Sequence, residues 1–301
     1  LYLPREWTED KARCKRAGVP KAICFATKGE LAWGQIAAAL EAGIPRGTVL
    51  MDAGYGDEAA LRERVSAQGL TYAVGTKPAT TVWWGEHQPA PAVKQLRGRP
   101  RTRVRRDQTH HPLSVRALAH ALPARSFQTI VWREGSNARL TSRFARVRVC
   151  AAQGGRPRAE EWLLIEWPKG EADPIHYFLS TLPEDISLKD MVAIVKMRWR
   201  IERDYLELKQ EVGLGHYEGR NWRGFHHHAS LCIAAYGFLM LERLSGVKKN
   251  AARLKAPTLS KTFRPRGARP DAATHSMVDC DGALSSGSRH RSRSSTMSVL
   301  R

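Results

Sequence analysis

Acidic residues are scarce in this chain. Its 301 residues hold 29 Asp and Glu against 49 Lys and Arg, for a formal net charge of +20 and a pI near 10.3. So large a positive excess points to a polyanionic partner, and nucleic acid is the commonest of these. Cysteine is sparse too. Cys14, Cys24, Cys150, Cys232 and Cys280 are scattered, with no Cys-x-x-Cys pair. That argues against a zinc site and a disulfide framework, and it suits a reducing cytosol. Long apolar runs are missing. The longest, "SLCIAAYGFLML" at 230–241, is too short to span a bilayer, so no membrane partner is expected. No signal peptide opens the chain. It begins "LYLPREW" without Met, inside what reads as a strand, and so reads as a fragment whose true beginning lies upstream.

What is present suffices for a core, since 42% of the residues are hydrophobic. Residues 28–42 alternate as an amphipathic helix ending at Gly43. "TVLM" follows as a short apolar strand, then Asp52, then a glycine-rich turn. "DEAALRERVSAQG" reads as a helix with acids in its first turn and Gly69 at its end. "LTYAVGTK" is a second short strand. Helix–strand–helix–strand with short loops predicts parallel strands in an α/β sheet. After Lys77 the pattern changes. "TTVWW", "FQTIVWRE", "RFARVRVCAA", "EWLLIEWP" and "IHYFLST" are strand-like, with one short helix, "LSVRALAHALP", among them. From Ser187 the chain is helical again, and beyond Ser245 it turns Ser-, Arg- and Pro-rich. The expected organisation is a partial α/β core at 1–77, a mainly antiparallel β insertion at 78–186, helices that complete the core at 187–245, and a disordered basic tail at 246–301.

The chemistry gathers at two places. Asp52 ends a buried strand, where α/β folds place their ligands, although an Asp there also suits the cap of the next helix. The second place is "RWRIERDYLELKQEVG", which continues the helix from Ser187. Ile194, Ile201, Tyr205, Leu208 and Val212 share one side and predict the core-facing stripe. Arg198, Glu202 and Lys209 fall within roughly 40° of one another on the shoulder of that stripe. Arg203, Asp204, Glu207, Gln210 and Glu211 take the opposite side, toward solvent. An Arg198–Glu202 surface pair is the plain reading. Two carboxylates from separate elements, flanked by Arg and Lys, also suit a divalent metal and phosphate.

These motifs together resemble the DDE transposases of bacterial insertion sequences. One subgroup carries Asp-x-Gly-Tyr around its second catalytic aspartate, matched here by Asp52-Ala53-Gly54-Tyr55. It carries Tyr-x2-Arg-x3-Glu-x6-Lys around its catalytic glutamate, matched by Arg198, Glu202 and Lys209, with Val195 at the tyrosine position. A β-rich insertion lies between the two motifs, as here. "LYLPREW" and "WPKGEADPIHYFLSTLP" are similar to the same subgroup, so the resemblance covers about residues 1–245. It implies a ribonuclease-H-like core without its first strands, and metal-dependent cleavage and strand transfer at insertion-sequence ends. It implies Asp52 and Glu202 as catalytic metal ligands for two Mg²⁺ or Mn²⁺ ions, and Arg198 and Lys209 at DNA phosphate. A third carboxylate is expected on a strand upstream of Leu1, so the chain as given is expected to lack one catalytic ligand. Double-stranded DNA, both transposon ends and target, is the implied partner. A homodimer on DNA is one expected assembly, in a cytoplasmic, nucleoid-associated setting. Two other readings stay open, a non-catalytic DNA-binding remnant and a metal-dependent nuclease of the same fold.

Further signals sit outside these motifs. "QLRGRPRTRVRR" places Arg97, Arg99, Arg101, Arg103, Arg105 and Arg106 in one short segment. Its Arg-Gly-Arg-Pro core is similar to the AT-hook, and phosphate contact is the expected role. Trp83, Trp84, Trp132, Trp162 and Trp167 read as core and turn packing. His226, His227 and His228 are consecutive on a predicted helix, about 100° apart, and cannot all bind one ion.

Overall fold

The computed structural model describes residues 1–86, 110–134, 139–153, 158–249 and 298–299. The chain opens with two short helices, α1 (Arg5–Glu9) and α2 (Lys11–Arg16). "LYLPREW" is therefore not a strand. Pro4 is extended (φ −57°, ψ 159°) and stands at the N-terminal boundary of α1, where a fixed φ near −65° suits a helix start. Next come α3 (Lys28–Glu41), β1 (Thr48–Met51), α4 (Ala53–Gly56), α5 (Ala59–Ala67) and β2 (Thr71–Thr76). Thr27 and Glu30 form a reciprocal capping box that starts α3. Gly43 and Gly69, at φ 74° and 70°, take the left-handed turns after α3 and α5 that a side chain disfavours.

The β-rich stretch then supplies β3 (Thr81–Trp83), β4 (Leu113–Ser114), α6 (Val115–Ala121), β5 (Gln128–Glu134), β6 (Arg139–Ala151), β7 (Glu160–Glu166) and β8 (His176–Ser180). Among the described residues these strands do not stand apart from β1 and β2. They form one sheet, ordered β4-β3-β6-β7-β8-β2-β1-β9, with β5 paired to the first half of β6. Only β1 and β2 are parallel within it, and the fold is mixed α/β with a mostly antiparallel sheet. The last strand, β9 (Ser298–Val299), lies antiparallel on β1. The rest of the expected tail from residue 250 on lies outside the described residues, as does the basic segment carrying Arg97 to Arg106.

The sheet is covered on two faces. Ile36 of α3, Leu61 and Val65 of α5 and Leu118 of α6 pack on Val49, Met51, Tyr72, Val74, Val149, Leu163 and Ile165. On the other face α7 (Leu188–Lys196) sets Met191, Val192 and Val195 against Leu50, Ala73, Phe144 and Leu164. Each fully buried large aliphatic side chain contributes about 1.5–3 kcal/mol. A polar pair crosses the first face: the Tyr72 hydroxyl donates to Glu161 at 2.7 Å, with Glu161 held among the charges of Arg62, Arg158 and Arg148.

The long helix expected from Ser187 is broken. α7 ends at Lys196, residues Met197 and Arg198 turn, and α8 runs Trp199–Gln210. The predicted stripe therefore does not hold through the break. Ile201 is the one buried residue of α8, and Tyr205 is 38% exposed. The side expected to meet solvent is the one α9 (Trp222–Lys249) leans on: the Tyr236 hydroxyl donates to Asp204 at 2.9 Å and to Glu207 at 3.3 Å, and Arg243 reaches Glu207 at 3.3 Å. α9 also leaves Leu231, Ile233, Phe238, Leu241 and Leu244 exposed, and it continues four residues past the expected boundary at Ser245.

α4 lies directly on β2. A Cβ on Gly56 would run into the Gly75 carbonyl oxygen and stand 2.8 Å from Val74 Cβ. Gly56→Ala should therefore cost about 1–3 kcal/mol, as overpacking does. Gly34→Ala on α3, where a Cβ meets nothing within 4 Å, should gain up to about 1 kcal/mol from helix propensity. Urea unfolding midpoints of the two variants should move in opposite directions.

Candidate active site

β1 and β2 run parallel and end at the same edge of the sheet. The register Thr76↔Tyr177 and Glu166↔His176 brings the start of β8 and the end of β7 to that edge too. Asp52 follows β1 directly with extended backbone (φ −80°, ψ −179°).

Asp52 caps α4 with one oxygen. Oδ1 accepts from the amides of Gly54 (2.9 Å) and Tyr55 (3.2 Å). Two glycines permit the tight reversal this needs. Besides Gly56, a Cβ on Gly75 would lie 2.9 Å from the Ala53 amide nitrogen. Tyr55 is half-buried beside Asp52. Burial pushes its phenol up, and the charge of Asp52 and the proximity of Tyr205 on α8 add to the shift.

Glu202 is 62% exposed and accepts from Arg198 Nη1 at 3.0 Å, so the surface pair does form. Lys209 lies with its ammonium 5.0 Å from the Tyr205 ring centroid, a cation–π distance. Arg198 stands just before α8, and Glu202 and Lys209 lie on it. Val195, which the resemblance would align with a tyrosine, is 4% exposed within the α7 core. The tryptophans act as structure: Trp83 is 1% exposed, and the Trp162 and Trp167 indoles donate to the Pro183 and Glu171 carbonyls. His226 packs on Trp222 and Phe225, while His228 Nε2 meets the Gly213 carbonyl at 3.0 Å. Among the described residues no three His, Cys, Asp or Glu side chains gather to hold a metal, and no helix is long and apolar enough to cross a membrane.

Residues 1–139 match the family model of the DDE superfamily endonucleases. No curated protein matches the chain. The match supports the superfamily, and with it nuclease or transposase chemistry on DNA and a general use of divalent metal. It takes in β1, Asp52 and α4 and stops before α8, so Glu202 stands on its own position in the fold.

Two polar clusters at this edge were not expected from the sequence. Asp57 accepts from Thr80 at 2.6 Å and Thr76 at 3.1 Å, with Lys77 at 3.5 Å. Glu166, 3% exposed, takes Lys196 on both oxygens (2.7 and 2.6 Å) and His176 at 3.0 Å. The available signal was the pair of acids, Glu161 and Glu166, inside the apolar run "EWLLIEW". For both carboxyls burial pushes the pKa up. Hydrogen bonds and neighbouring cations more than offset it, and each lies below its ordinary value.

Such depressed carboxyls add stability that is present above their unfolded pKa and is lost as the pH falls through their folded values. The thermal midpoint should therefore drop steeply below about pH 4, and Glu166→Gln should flatten that slope. A slope unchanged by Glu166→Gln would show that this cluster carries none of it.

Proposed function

We propose that this chain is the catalytic region of a DDE-superfamily transposase that cleaves DNA strands at insertion-sequence ends and joins them to target DNA. One observation carries the reading. Asp52 directly follows β1 at the edge of the sheet, one carboxylate oxygen held by the Gly54 and Tyr55 amides, within the stretch that matches the DDE superfamily endonucleases. In this reading β1 and β2 belong to a ribonuclease-H-like core, and the strands of residues 78–186 are its insertion.

The side chains take distinct roles. Asp52 Oδ1 is fixed by two α4 amides, which orients the carboxylate before any ligand binds. Glu202 is solvent-facing and held by Arg198. Hard oxygen donors of this kind, completed by water and phosphate oxygens, fit Mg²⁺ or Mn²⁺. Bound metal would polarise the scissile phosphate and lower the pKa of the attacking water or 3′-hydroxyl. Arg198 and Lys209 would hold phosphate beside Glu202. Arg97, Arg99, Arg101, Arg103, Arg105 and Arg106 would track the duplex backbone. A DNA binder without catalysis is the second reading, favoured by the lack of a three-residue metal cluster among the described residues.

A Mn²⁺ titration followed by electron paramagnetic resonance separates the two. Glu202→Gln and Asp52→Asn should each weaken binding by roughly tenfold or more while the circular dichroism spectrum stays unchanged. Equal Mn²⁺ affinity in wild type and Glu202→Gln would reject the metal assignment and leave the second reading. DNA affinity should fall with a steep linear dependence on log salt. Neutralising the six arginines should lower both affinity and slope, and salt-independent binding would refute phosphate contact.

A further inference from the structure

The position of α8 is not explained by its own packing. Of its twelve residues only Ile201 is buried. Its neighbours include the 3-10 turn at Leu214–His216 and α9, from which Tyr236 and Arg243 reach Asp204 and Glu207. The corner before it, by contrast, is tied to the sheet from two sides. Lys196, the last residue of α7, spans both oxygens of Glu166 on β7, and His176 on β8 holds the same carboxylate. The Lys196 ammonium also lies 4.7 Å from the Trp132 ring and 5.6 Å from that of Phe144. Three residues on, Trp199 opens α8 beneath the guanidinium of Arg133 from β5, 4.0 Å from the ring centroid.

We propose that Lys196, gripped by Glu166 and His176, is a positioning residue that sets the angle at which α8 leaves the sheet and so where Glu202 stands relative to Asp52. The proposal rests on the assignment of Glu202 given above. Lys196 itself contacts no reacting group. Its side chain is 15% exposed and that of Glu166 only 3%, so neither ion is free to re-pair elsewhere. With Lys196 neutralised, Glu166 is left as a buried charge with only the exposed imidazole of His176 beside it. Such a carboxylate takes up a proton or turns toward water, and the corner loses its hold on β7. Nothing buried in α8 beyond Ile201 would then keep the helix in place.

The test is amide hydrogen exchange on the full chain, with Mn²⁺ affinity measured in parallel. Lys196→Met should speed exchange across Trp199–Gln210 by about tenfold or more while β6 and β7 stay protected. Lys196→Arg, which keeps a cation for Glu166, should restore the slow exchange. Mn²⁺ binding should weaken by about 10–100-fold in Lys196→Met, the range for residues supporting a metal ligand, and recover in Lys196→Arg. Unchanged exchange in α8, or equal acceleration of α8 and the strands, overturns the proposal. If Lys196→Met does not fold, the double variant Glu166→Gln, Lys196→Met removes both charges and leaves no buried ion. Fast exchange confined to its α8 supports the proposal, and slow exchange there overturns it. Wild-type Mn²⁺ binding that ignores Glu202→Gln would reject the site assignment, while the exchange contrast would still judge the anchor.

Discussion

β2 is hydrogen-bonded along both edges, in parallel to β1 and antiparallel to β8, and the candidate site follows from that double pairing. The parallel side brings the end of β1 level with the end of β2, so Asp52 emerges at an edge of the sheet. The antiparallel side carries the sheet on through β8 and β7 to β6. α4 must then cross β2 at contact distance. Gly56 and Gly75 leave the room, since a Cβ at Gly56 would meet the Gly75 carbonyl oxygen and one at Gly75 the Ala53 amide nitrogen. Backbone cannot swing aside as a long side chain can, which makes this crossing the least forgiving contact of the fold.

Local pattern made much of this legible. "TVLM" became β1 with the expected bounds, Gly43 and Gly69 ended their helices, and the five strand-like runs after Lys77 all became strands. What escaped was decided by distant partners. No Pro or Gly marks the break at Met197–Arg198, and the apolar spacing runs straight through it. The chain turns there while Lys196 is held by Glu166 and Trp199 lies beneath Arg133. Continuity of the sheet across residues 78–186 was equally hidden, because strand pairing over a hundred residues leaves no periodic trace. The setting of two acids on α8 escaped for a related reason. Its acids looked like a solvated face, yet Asp204 and Glu207 receive Tyr236 and Arg243 from α9.

Charge is distributed unevenly between interior and surface. Inside, each buried acid is matched: Glu166 by Lys196 and His176, and Glu161 by Tyr72 within the field of Arg62. Pairs of this kind add little net stability, because desolvation offsets their attraction, but removing one partner is costly. They act as registration points. Both sit where a helix meets the sheet, and there a fixed angle matters more than a favourable energy.

Val195, which the sequence resemblance aligns with a tyrosine, has a physical reading in this light. Val195 points into the α7 core among Leu50, Ala73 and Phe144, and a phenol there would need an exit for its hydroxyl. One turn later the chain breaks, so a residue on α7 and one on α8 no longer share a helical face. A phenol still stands beside Asp52, but it comes from another element, Tyr55 on α4. Tyr205 carries Lys209 over its ring and is 38% exposed, an exposure that makes little sense for a core residue. Of the apolar positions that seemed to bury Tyr205, only Ile201 on α8 is buried, so a phenol, the Lys209 ammonium over it and the Glu202 carboxylate all meet solvent on this helix.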